Sequence, residues 1–250
     1  KNPSSLVDIL KDGEVKSQKT GIHELDRVLG GGILSGSMIL LGGSPGIGKS
    51  TLALQLIPGL KYDVFYVSAE ESEEQLALRA KRLNISTKNI KLSTENNIEI
   101  IIDQLTLTKP KLLIIDSIQN IYSDNVESIA GSPSQIRECG QQLLAIAKQS
   151  KISVIVIGHV TKEGIIAGPR MLEHMVDTVL YLEGDSKFDH RILRSIKNRF
   201  GTTNEVGIFQ MNEVGLEEVA NPSQFFLTER TLEVSGSVIF PALEGTRPLL

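Results

Sequence analysis

Short apolar runs recur along the chain and alternate with segments whose apolar residues follow a helical spacing. Near-continuous apolar character is typical of strands buried on both faces of a parallel sheet. Such runs predict strands at 38–42, 64–68, 112–116 and 152–158. Further strands, with clearer apolar–polar alternation in the first two, are predicted at 178–183, 190–197 and 206–211.

The intervening segments predict helices at 49–57, 72–83, 97–107 and 134–149. Pro58 and Gly59 are expected to end the first of them. The stretches 122–133 and 161–172 fit neither pattern and are predicted to be long loops, which are often functional in compact domains. This alternation predicts an α/β fold, with a mostly parallel twisted sheet flanked by helices.

Composition narrows the class of protein. The 250 residues, 40% apolar and 22% charged, suffice for one large domain or two small ones. The formal net charge of −4 argues against a generally basic nucleic-acid binder, although residues 187–199 hold five Lys or Arg and a single Asp. That stretch is either a basic stripe for a ligand or a solvated strand face.

Cysteine content and apolar run length restrict the setting of the protein. The single Cys139 excludes an internal disulfide framework and a cysteine-only zinc site. No apolar run approaches the roughly 20 residues that cross a bilayer, and the first residues do not form a signal peptide. We expect a cytoplasmic protein with no membrane partner. Because the chain starts with Lys1, we also expect a piece of a longer protein.

The stretch "GSPGIGKS", from Gly43 to Ser50, fits the spacing G-x-x-x-x-G-K-[ST] between a predicted strand and a predicted helix. Glycines allow backbone N–H groups to close around phosphate oxygens, and the helix start adds a positive dipole end. Lys49 would reach the terminal phosphates, and the Ser50 hydroxyl would bind Mg²⁺. The pattern therefore predicts a nucleoside triphosphate site, with ATP and Mg²⁺ as cofactors. Its residues are Gly43, Ser44, Pro45, Gly46, Ile47, Gly48, Lys49, Ser50 and Thr51.

Acidic residues follow two of the predicted strands. Asp116 ends the run "LLIID" and is expected to hold Mg²⁺ together with Ser50. Glu70 and Glu71 follow "VFYVSA", and one of them is a candidate for activating the attacking water. Because neighbouring strand residues point to opposite sides, we expect at most one to face the nucleotide. Two solvated acids at a helix start are the alternative.

Several motifs in order along residues 16–230 resemble the bacterial RadA (Sms) family of DNA-repair ATPases. They include "TGIHELDRVLGGGI", "YVSAEES", "LLIIDSIQ", "GHVTKEG" and "IKNRFG", besides the phosphate-loop motif. The resemblance implies a core similar to RecA and to DnaB helicases. It implies a lead segment at 1–15, a RecA-like ATPase domain at 16–230 and the start of a Lon-protease-like domain at 231–250. The four-cysteine zinc finger usual in this family has no counterpart here.

The resemblance also implies roles for individual residues. Glu70 takes the position of the catalytic glutamate, and His159 that of a polar residue sensing the γ-phosphate. A structural hydrogen-bonding role is the alternative for His159. Lys197 and Arg199 resemble cations that reach the nucleotide of a neighbouring protomer, where they would stabilise the transition state. DNA backbone binding is their alternative use.

Further residues become candidate DNA contacts by the same resemblance. The loop 161–172 would face DNA through Lys162 and Arg170, unless these are plain surface charges. A companion loop would lie near 123–134. Arg137 could contact DNA or pair with an acid near Glu138, and the sequence leaves both open.

As a whole, the resemblance implies an ATP-dependent DNA motor in recombination and repair. A homo-hexameric ring would bind single-stranded DNA and promote branch migration by ATP hydrolysis, with the recombinase RecA as a further partner. Alternatives of other classes are a nucleotide-gated DNA-binding scaffold and a P-loop kinase.

Overall fold

The computed structural model of the chain describes residues 17–86, 88–159, 169–184, 189–220, 242–244 and 247–249. The strands are β1 (Ser17–Gln18), β2 (Ile33–Leu34), β3 (Met38–Gly43), β4 (Val64–Ser68), β5 (Ile90–Ser93), β6 (Leu112–Asp116), β7 (Ser153–His159), β8 (Thr178–Glu183), β9 (His190–Asn198), β10 (Val206–Asn212), β11 (Gly215–Glu218), β12 (Ala242–Glu244) and β13 (Arg247–Leu249). The α-helices are α1 (His23–Leu29), α2 (Lys49–Gln55), α3 (Glu73–Arg82), α4 (Ile98–Thr108), α5 (Pro133–Ser150) and α6 (Pro169–Met175). Short 3₁₀ turns lie at Ile57–Gly59 and Ile118–Asn120.

A nine-stranded sheet forms the centre, in the order β11-β10-β9-β8-β3-β7-β6-β4-β5. Strands β3 to β8 pair in parallel, and β9 to β11 extend the sheet as antiparallel neighbours. Two separate ladders join β1 to β2 and β12 to β13. The predicted fold class, a mostly parallel sheet flanked by helices, is confirmed.

Helices cover both faces of the sheet because successive strand side chains point to opposite sides. In β3, Ile39 and Leu41 pack in one apolar core with residues of α1, α2 and α3. Met38 and Leu40 pack in the other core with α4, α5 and α6. Burial on both faces accounts for the near-continuous apolar runs of the central strands. No helix in the described part of the chain is long and apolar enough to cross a membrane.

The parallel arrangement brings the carboxyl ends of β3, β4, β6 and β7 to one edge of the sheet. The loops that leave this edge carry the phosphate-loop motif, the two adjacent glutamates and the segment after Asp116. In open α/β sheets this edge is where ligands bind. The fold therefore gathers the predicted site residues from distant parts of the chain.

Two predicted boundaries are wrong. Helix α2 ends at Gln55 rather than 57, and Pro58 and Gly59 lie inside a 3₁₀ turn instead of stopping the helix. Pro58 is tolerated there because the first turn of a helix needs no N–H partner. The predicted loop 161–172 contains the start of α6, again with proline at its first position. The loop predicted at 122–133 is confirmed over 122–132, and its last residue, Pro133, begins α5.

Candidate functional site

The phosphate-loop motif connects β3 to α2 and turns through glycines with left-handed backbone angles. Gly46 has φ +74° and Gly48 φ +117°, conformations that favour glycine over other residues. A Cβ at Gly48 would lie 2.6 Å from Cε of Met211, so this position also lacks room for a side chain. No side chain caps the start of α2. The first amides of the helix thus remain available to a ligand, as phosphate binding requires.

Lys49 is buried at the start of α2. Its Nζ donates hydrogen bonds to the carbonyl oxygens of Gly43 (2.8 Å) and Ser44 (2.9 Å), and lies 3.3 Å from Nδ1 of His159. Burial lowers the pKa of Lys49 to about 8, although the charges of Asp116 and Glu70 act in the opposite direction. The ammonium is thus held in the loop by carbonyls that a phosphate group can replace.

Asp116 ends β6 and is buried beside the phosphate loop. Its Oδ2 accepts a hydrogen bond from the Tyr66 hydroxyl at 2.6 Å, whereas Oδ1 is buried with no hydrogen-bond partner in the described structure. An unpaired carboxylate oxygen at this position suits a water of a Mg²⁺ shell. Ser50 lines the same cleft and provides a hydroxyl. These two side chains fit Mg²⁺ shared with nucleotide phosphates. The described residues contain no cluster of His, Cys, Asp and Glu that could bind a metal alone.

Glu70 faces the cleft and is fixed from two directions. Its Oε1 accepts a hydrogen bond from Ser117 Oγ and lies 2.8 Å from Nε2 of His159. Partial burial acts to raise the pKa of Glu70, but the hydrogen bonds from Ser117 and His159 outweigh it, and the pKa is lowered. The carboxylate is therefore charged at neutral pH, as a general base must be.

The alternation of strand residues, from which we expected at most one of the two glutamates to face the nucleotide, does not apply at these positions. Strand β4 ends at Ser68, so the alternation of a strand no longer applies to the residues after it. Both Glu70 and Glu71 line the cleft. Their partners differ, because Glu71 pairs with the guanidinium of Arg79.

The cleft has a volume of ≈690 Å³, within the range of about 300–1,000 Å³ typical of small-molecule sites. Sequence reasoning did not identify the residues at its far end, which come from α3 and from the hairpin formed by β10 and β11. They are Arg79, Arg82, Met211, Asn212, Glu213 and Gly215. No motif marks them, since they approach the phosphate loop only through the order of strands in the sheet.

Lys197 and Arg199 lie near the other edge of the sheet, away from the cleft of their own chain. Asn198 pairs with Thr178, and Thr178 pairs with Ile39 at the start of β3, whereas the phosphate loop follows the end of β3. Nζ of Lys197 donates to the carbonyl of Glu173 at 2.7 Å. Partial burial, followed by the nearby charge of Arg199, lowers the pKa of Lys197.

Arg199 follows β9 and pairs with Asp177, its NH1 lying 3.0 Å from Oδ1. Asp177 is itself buried, and its Oδ2 accepts from the backbone N–H of Met38 at 3.0 Å. The Arg199 side chain is about half exposed (46%), whereas the side chain of its partner Asp177 is buried. Lys197 and Arg199 thus lie in one region of the surface.

The predicted DNA contacts are only partly within the described chain. Lys162 lies outside the described residues, and Arg170 is the second residue of α6. Arg137 is exposed on α5 and makes no ion pair within the described structure, while Glu138 accepts a hydrogen bond from Gln142. Pairing between Arg137 and an acid near Glu138 is therefore not observed.

The loop between Ile121 and α5 is ordered by its own hydrogen bonds. Gln135 is buried beneath it, accepts from the backbone N–H of Ser123 (2.8 Å), and donates to the carbonyls of Ser123 (3.0 Å) and Val126 (2.9 Å). The Gln119 side chain below the same loop donates to the carbonyl of His159 at 3.4 Å. The loop is thus linked to α5, and the 3₁₀ turn that precedes it is linked to the end of β7.

Comparison with known proteins agrees with this geometry. Residues 18–106 match the family model described as "ATPase: KaiC". The chain is 54% identical over 238 residues to the DNA repair protein RadA of Listeria monocytogenes, covering 94% of this chain and 52% of that protein. It is 50% identical over 251 residues to the DNA repair protein RadA of Bacillus subtilis, covering 99% of this chain and 55% of that protein. The chain therefore spans about half the length of the curated relatives it matches.

Solved structures also resemble this chain in fold. The crystal structure of the RadB recombinase superposes with a TM-score of 0.64 at 28% identity, over 81% of this chain and 99% of that one. A KaiC-like protein from Pyrococcus horikoshii superposes with a TM-score of 0.67 at 21% identity, over 82% of this chain and 100% of that one. These neighbours are consistent with a RecA-like ATPase fold.

Proposed function

We propose that this chain, which belongs to the DNA repair protein RadA family, is the ATP-hydrolysing core of a DNA motor. It spans about half the length of the family members that it matches. In this proposal it acts in the cytoplasm as a homo-hexameric ring that binds single-stranded DNA and promotes branch migration of recombination intermediates. Residues 16–230 form the motor domain, 231–250 begin a Lon-protease-like domain, and the recombinase RecA is a partner on the same DNA.

The observation that carries the proposal is the convergence of Lys49, Asp116 and Glu70 on one cleft. ATP bound there would place its terminal phosphates against the phosphate loop, where Lys49 exchanges its carbonyl partners for phosphate oxygens. Ser50 and the free oxygen of Asp116 would hold Mg²⁺, which neutralises phosphate charge when bound.

Hydrolysis then requires a base next to the attacking water. Glu70 is charged, faces the cleft and has its Oε1 fixed by Ser117 and His159, so its second carboxylate oxygen can accept the proton of a water. His159 contacts both Glu70 and Lys49 through its two ring nitrogens. It is thus suited to respond when Lys49 moves to the phosphates.

The position of Lys197 and Arg199 supports the proposal that they act in a neighbouring protomer's site. Their strand register is level with Ile39, four residues before Gly43 along β3, or about 13 Å along the strand from the phosphate loop. Neither side chain enters the cleft of its own chain. A ring in which this edge meets the next protomer's cleft would bring two cations to the site's carboxylates and phosphates.

DNA binding is supported by the loops that leave the nucleotide edge of the sheet. The ordered loop 122–132 follows β6, and Arg137 next to it is an exposed cation with no ion pair in the described structure. The segment after His159 carries Lys162, and Arg170 follows in α6. Contacts to DNA phosphates predict a salt dependence of about −0.7 in the logarithmic slope for each contact on a single strand.

Mixing two inactive variants tests the proposal. Lys49→Ala removes the phosphate contact but leaves Arg199 intact, and Arg199→Ala leaves the cleft intact. Each alone should hydrolyse ATP at a background rate, whereas an equimolar mixture should recover activity at about a quarter of its interfaces by random pairing. Arg199→Ala should lower the free energy of unfolding by about 1–3 kcal/mol, because the buried Asp177 carboxylate then keeps only the N–H of Met38 as a partner within the described residues, so folded protein is confirmed before mixing.

The alternatives predict other results. A kinase needs no cation from a neighbour, so Arg199→Ala would keep its activity and the rate would be proportional to protein concentration. A nucleotide-gated scaffold would show recovery in the mixture but no displacement of a labelled strand from a branched DNA substrate. Single-stranded DNA should stimulate hydrolysis by the wild-type chain if the motor assignment is correct.

A further inference from the structure

An arginine lies buried behind the phosphate loop, outside the motif. In β9 the side chains of Arg191, Leu193 and Ser195 point to the buried face, whereas Ile192 and Arg194 point to the partly exposed one. Leu193 belongs to the apolar core that also contains Ile47 of the loop. Arginine is rarely buried unless its guanidinium has specific polar partners.

The Arg191 guanidinium connects its own strand to the phosphate loop. Its Nε donates to the carbonyl oxygen of Ile47 at 3.2 Å, and its NH1 donates to the carbonyl oxygen of His190 at 2.8 Å. Gly184 leaves the space for this side chain, because a Cβ there would lie 2.8 Å from Cδ of Arg191. One arm of the planar group is thus held by the sheet while the other holds the loop.

The carbonyl of Ile47 belongs to the peptide unit that joins it to Gly48. In a planar trans peptide the C=O and the following N–H point in opposite directions. When Arg191 holds the carbonyl on the core side, the N–H of Gly48 must point to the other side. Gly46 and Gly48 line the cleft, so this is the direction of a bound phosphate. Without the arginine, flanking glycines would leave this peptide free to rotate.

We propose that Arg191 is a positioning residue that presets the phosphate loop for nucleotide binding by holding the Ile47–Gly48 peptide. This inference rests on the nucleotide site proposed above and adds a residue that lies far from the motif in sequence. Arg191 acts through the loop and not by contact with the substrate. Its effect therefore applies to ADP and ATP alike.

The test compares Arg191→Gln and Arg191→Lys with a matched control, Arg194→Gln. Arg194 lies on the same strand but on the opposite face, where it pairs with Glu183 at 2.9 Å. Dissociation constants for Mg²⁺–ADP are measured by titration calorimetry on folded protein. Hydrogen exchange of a peptide covering 43–50 reports on the loop directly, and thermal unfolding reports on stability.

Arg191→Gln should weaken Mg²⁺–ADP binding by about tenfold or more, as loss of a charged hydrogen bond predicts, and should speed exchange in the loop. Arg191→Lys should recover part of the affinity, because an ammonium can bind one of the two carbonyls. Arg194→Gln should keep wild-type affinity and exchange. A structural role alone would lower the unfolding temperature without changing affinity or loop exchange.

Wild-type affinity and loop exchange in a folded Arg191→Gln chain would overturn the inference. If that variant does not fold, Arg191→Lys is used in its place. Mg²⁺–ADP affinity and loop exchange equal to those of Arg194→Gln would then overturn the inference. Failure of the wild-type chain to bind Mg²⁺–ADP would instead remove the nucleotide site itself, and the inference with it. The two failures are therefore distinguishable by the wild-type titration.

Discussion

The Nζ atom of Lys49 lies 3.3 Å from Nδ1 of His159, and the other ring nitrogen of this histidine lies 2.8 Å from Oε1 of Glu70. One imidazole thus joins the residue proposed to bind the terminal phosphates to the residue proposed to activate water. His159 also ends β7, directly before the segment proposed to face DNA. His159 therefore lies between the proposed phosphate-binding lysine, the proposed catalytic base and the segment proposed to face DNA.

His159→Ala should slow ATP hydrolysis by about tenfold or more, because Glu70 loses a partner that orients its carboxylate. ATP affinity should remain within about threefold of wild type, because the proposed phosphate contacts come from Lys49 and the loop amides rather than from His159. Steady-state hydrolysis and nucleotide titration measure the two quantities. His23→Ala, at an exposed position on α1, serves as the control. Equal losses of affinity and of rate would contradict a role in orienting Glu70.

ATP binding should take up protons above neutral pH. The protein lowers the pKa of Lys49 to about 8, mainly by burial, so at pH 8.5 most Lys49 is neutral. The negative charge of a bound triphosphate raises that pKa again, and about 0.7 proton should then be taken up per site. Calorimetry at pH 8.5 with saturating Mg²⁺, in two buffers of different ionisation enthalpy, measures this number.

Whether protons are taken up or released on ATP binding tests the lowered pKa of Lys49. A lysine whose pKa rises on binding must gain a proton, and the gain should shrink as the pH falls below 8 because the free lysine is then already charged. Lys49→Arg is the control, since arginine stays charged at this pH and should bind nucleotide without proton uptake. Proton release by the wild-type chain would contradict the depressed pKa.

Most of the fold was predictable because the central strands are buried on both faces. The predicted strand at 64–68 matches β4, and that at 112–116 matches β6. By contrast, the edge strand β5 was missed because Lys91 interrupts its apolar character. Helix α1 has only 7 residues between glycine-rich segments, too short for its spacing to stand out.

The site was predictable where a motif states the chemistry. The phosphate-loop spacing and an acid after a buried strand led to Lys49 and Asp116, which the fold brings to one cleft. No sequence motif identifies Arg79 or Arg191. Their positions depend on how α3 packs and on β9 lying beside β8, which are properties of strand order rather than of local sequence. The position of Lys197 and Arg199 relative to β3 likewise could be known only from the strand order of the sheet.

Tyr66→Phe should destabilise the protein by about 1.5–3 kcal/mol, because the buried Asp116 carboxylate loses its only hydrogen-bond donor in the described structure. Burial, followed by the charge of Asp116, raises the pKa of Tyr66 well above its usual value, so the phenol remains a donor throughout the working pH range. Urea unfolding gives the free energy. The variant should also need more Mg²⁺ for half-maximal hydrolysis, since Asp116 is less well oriented.

The same substitution at Tyr62 is the control for this prediction. Tyr62 is partly buried, and its hydroxyl makes no hydrogen bond within the described residues. Tyr62→Phe should therefore leave stability within about 0.5 kcal/mol of wild type. Equal destabilisation by both substitutions would show that the hydroxyl of Tyr66 does not support Asp116.

Gln135→Ala should loosen the loop 122–132 without disturbing the nucleotide cleft. The amide of Gln135 is buried, and its loss leaves the N–H of Ser123 and the carbonyl of Val126 without this partner, at a cost of about 1–3 kcal/mol. Hydrogen exchange in the loop should rise, and stimulation of hydrolysis by single-stranded DNA should fall, because a loop that must be ordered on binding lowers affinity. Hydrolysis without DNA should stay near the wild-type rate.

Gln141→Ala, at an exposed position of the same helix, is the control and should change neither loop exchange nor stimulation by DNA. Unchanged DNA stimulation in a chain whose loop exchange has risen would mean that this loop does not contribute to DNA binding, and the DNA contacts would then have to come from the segment after His159.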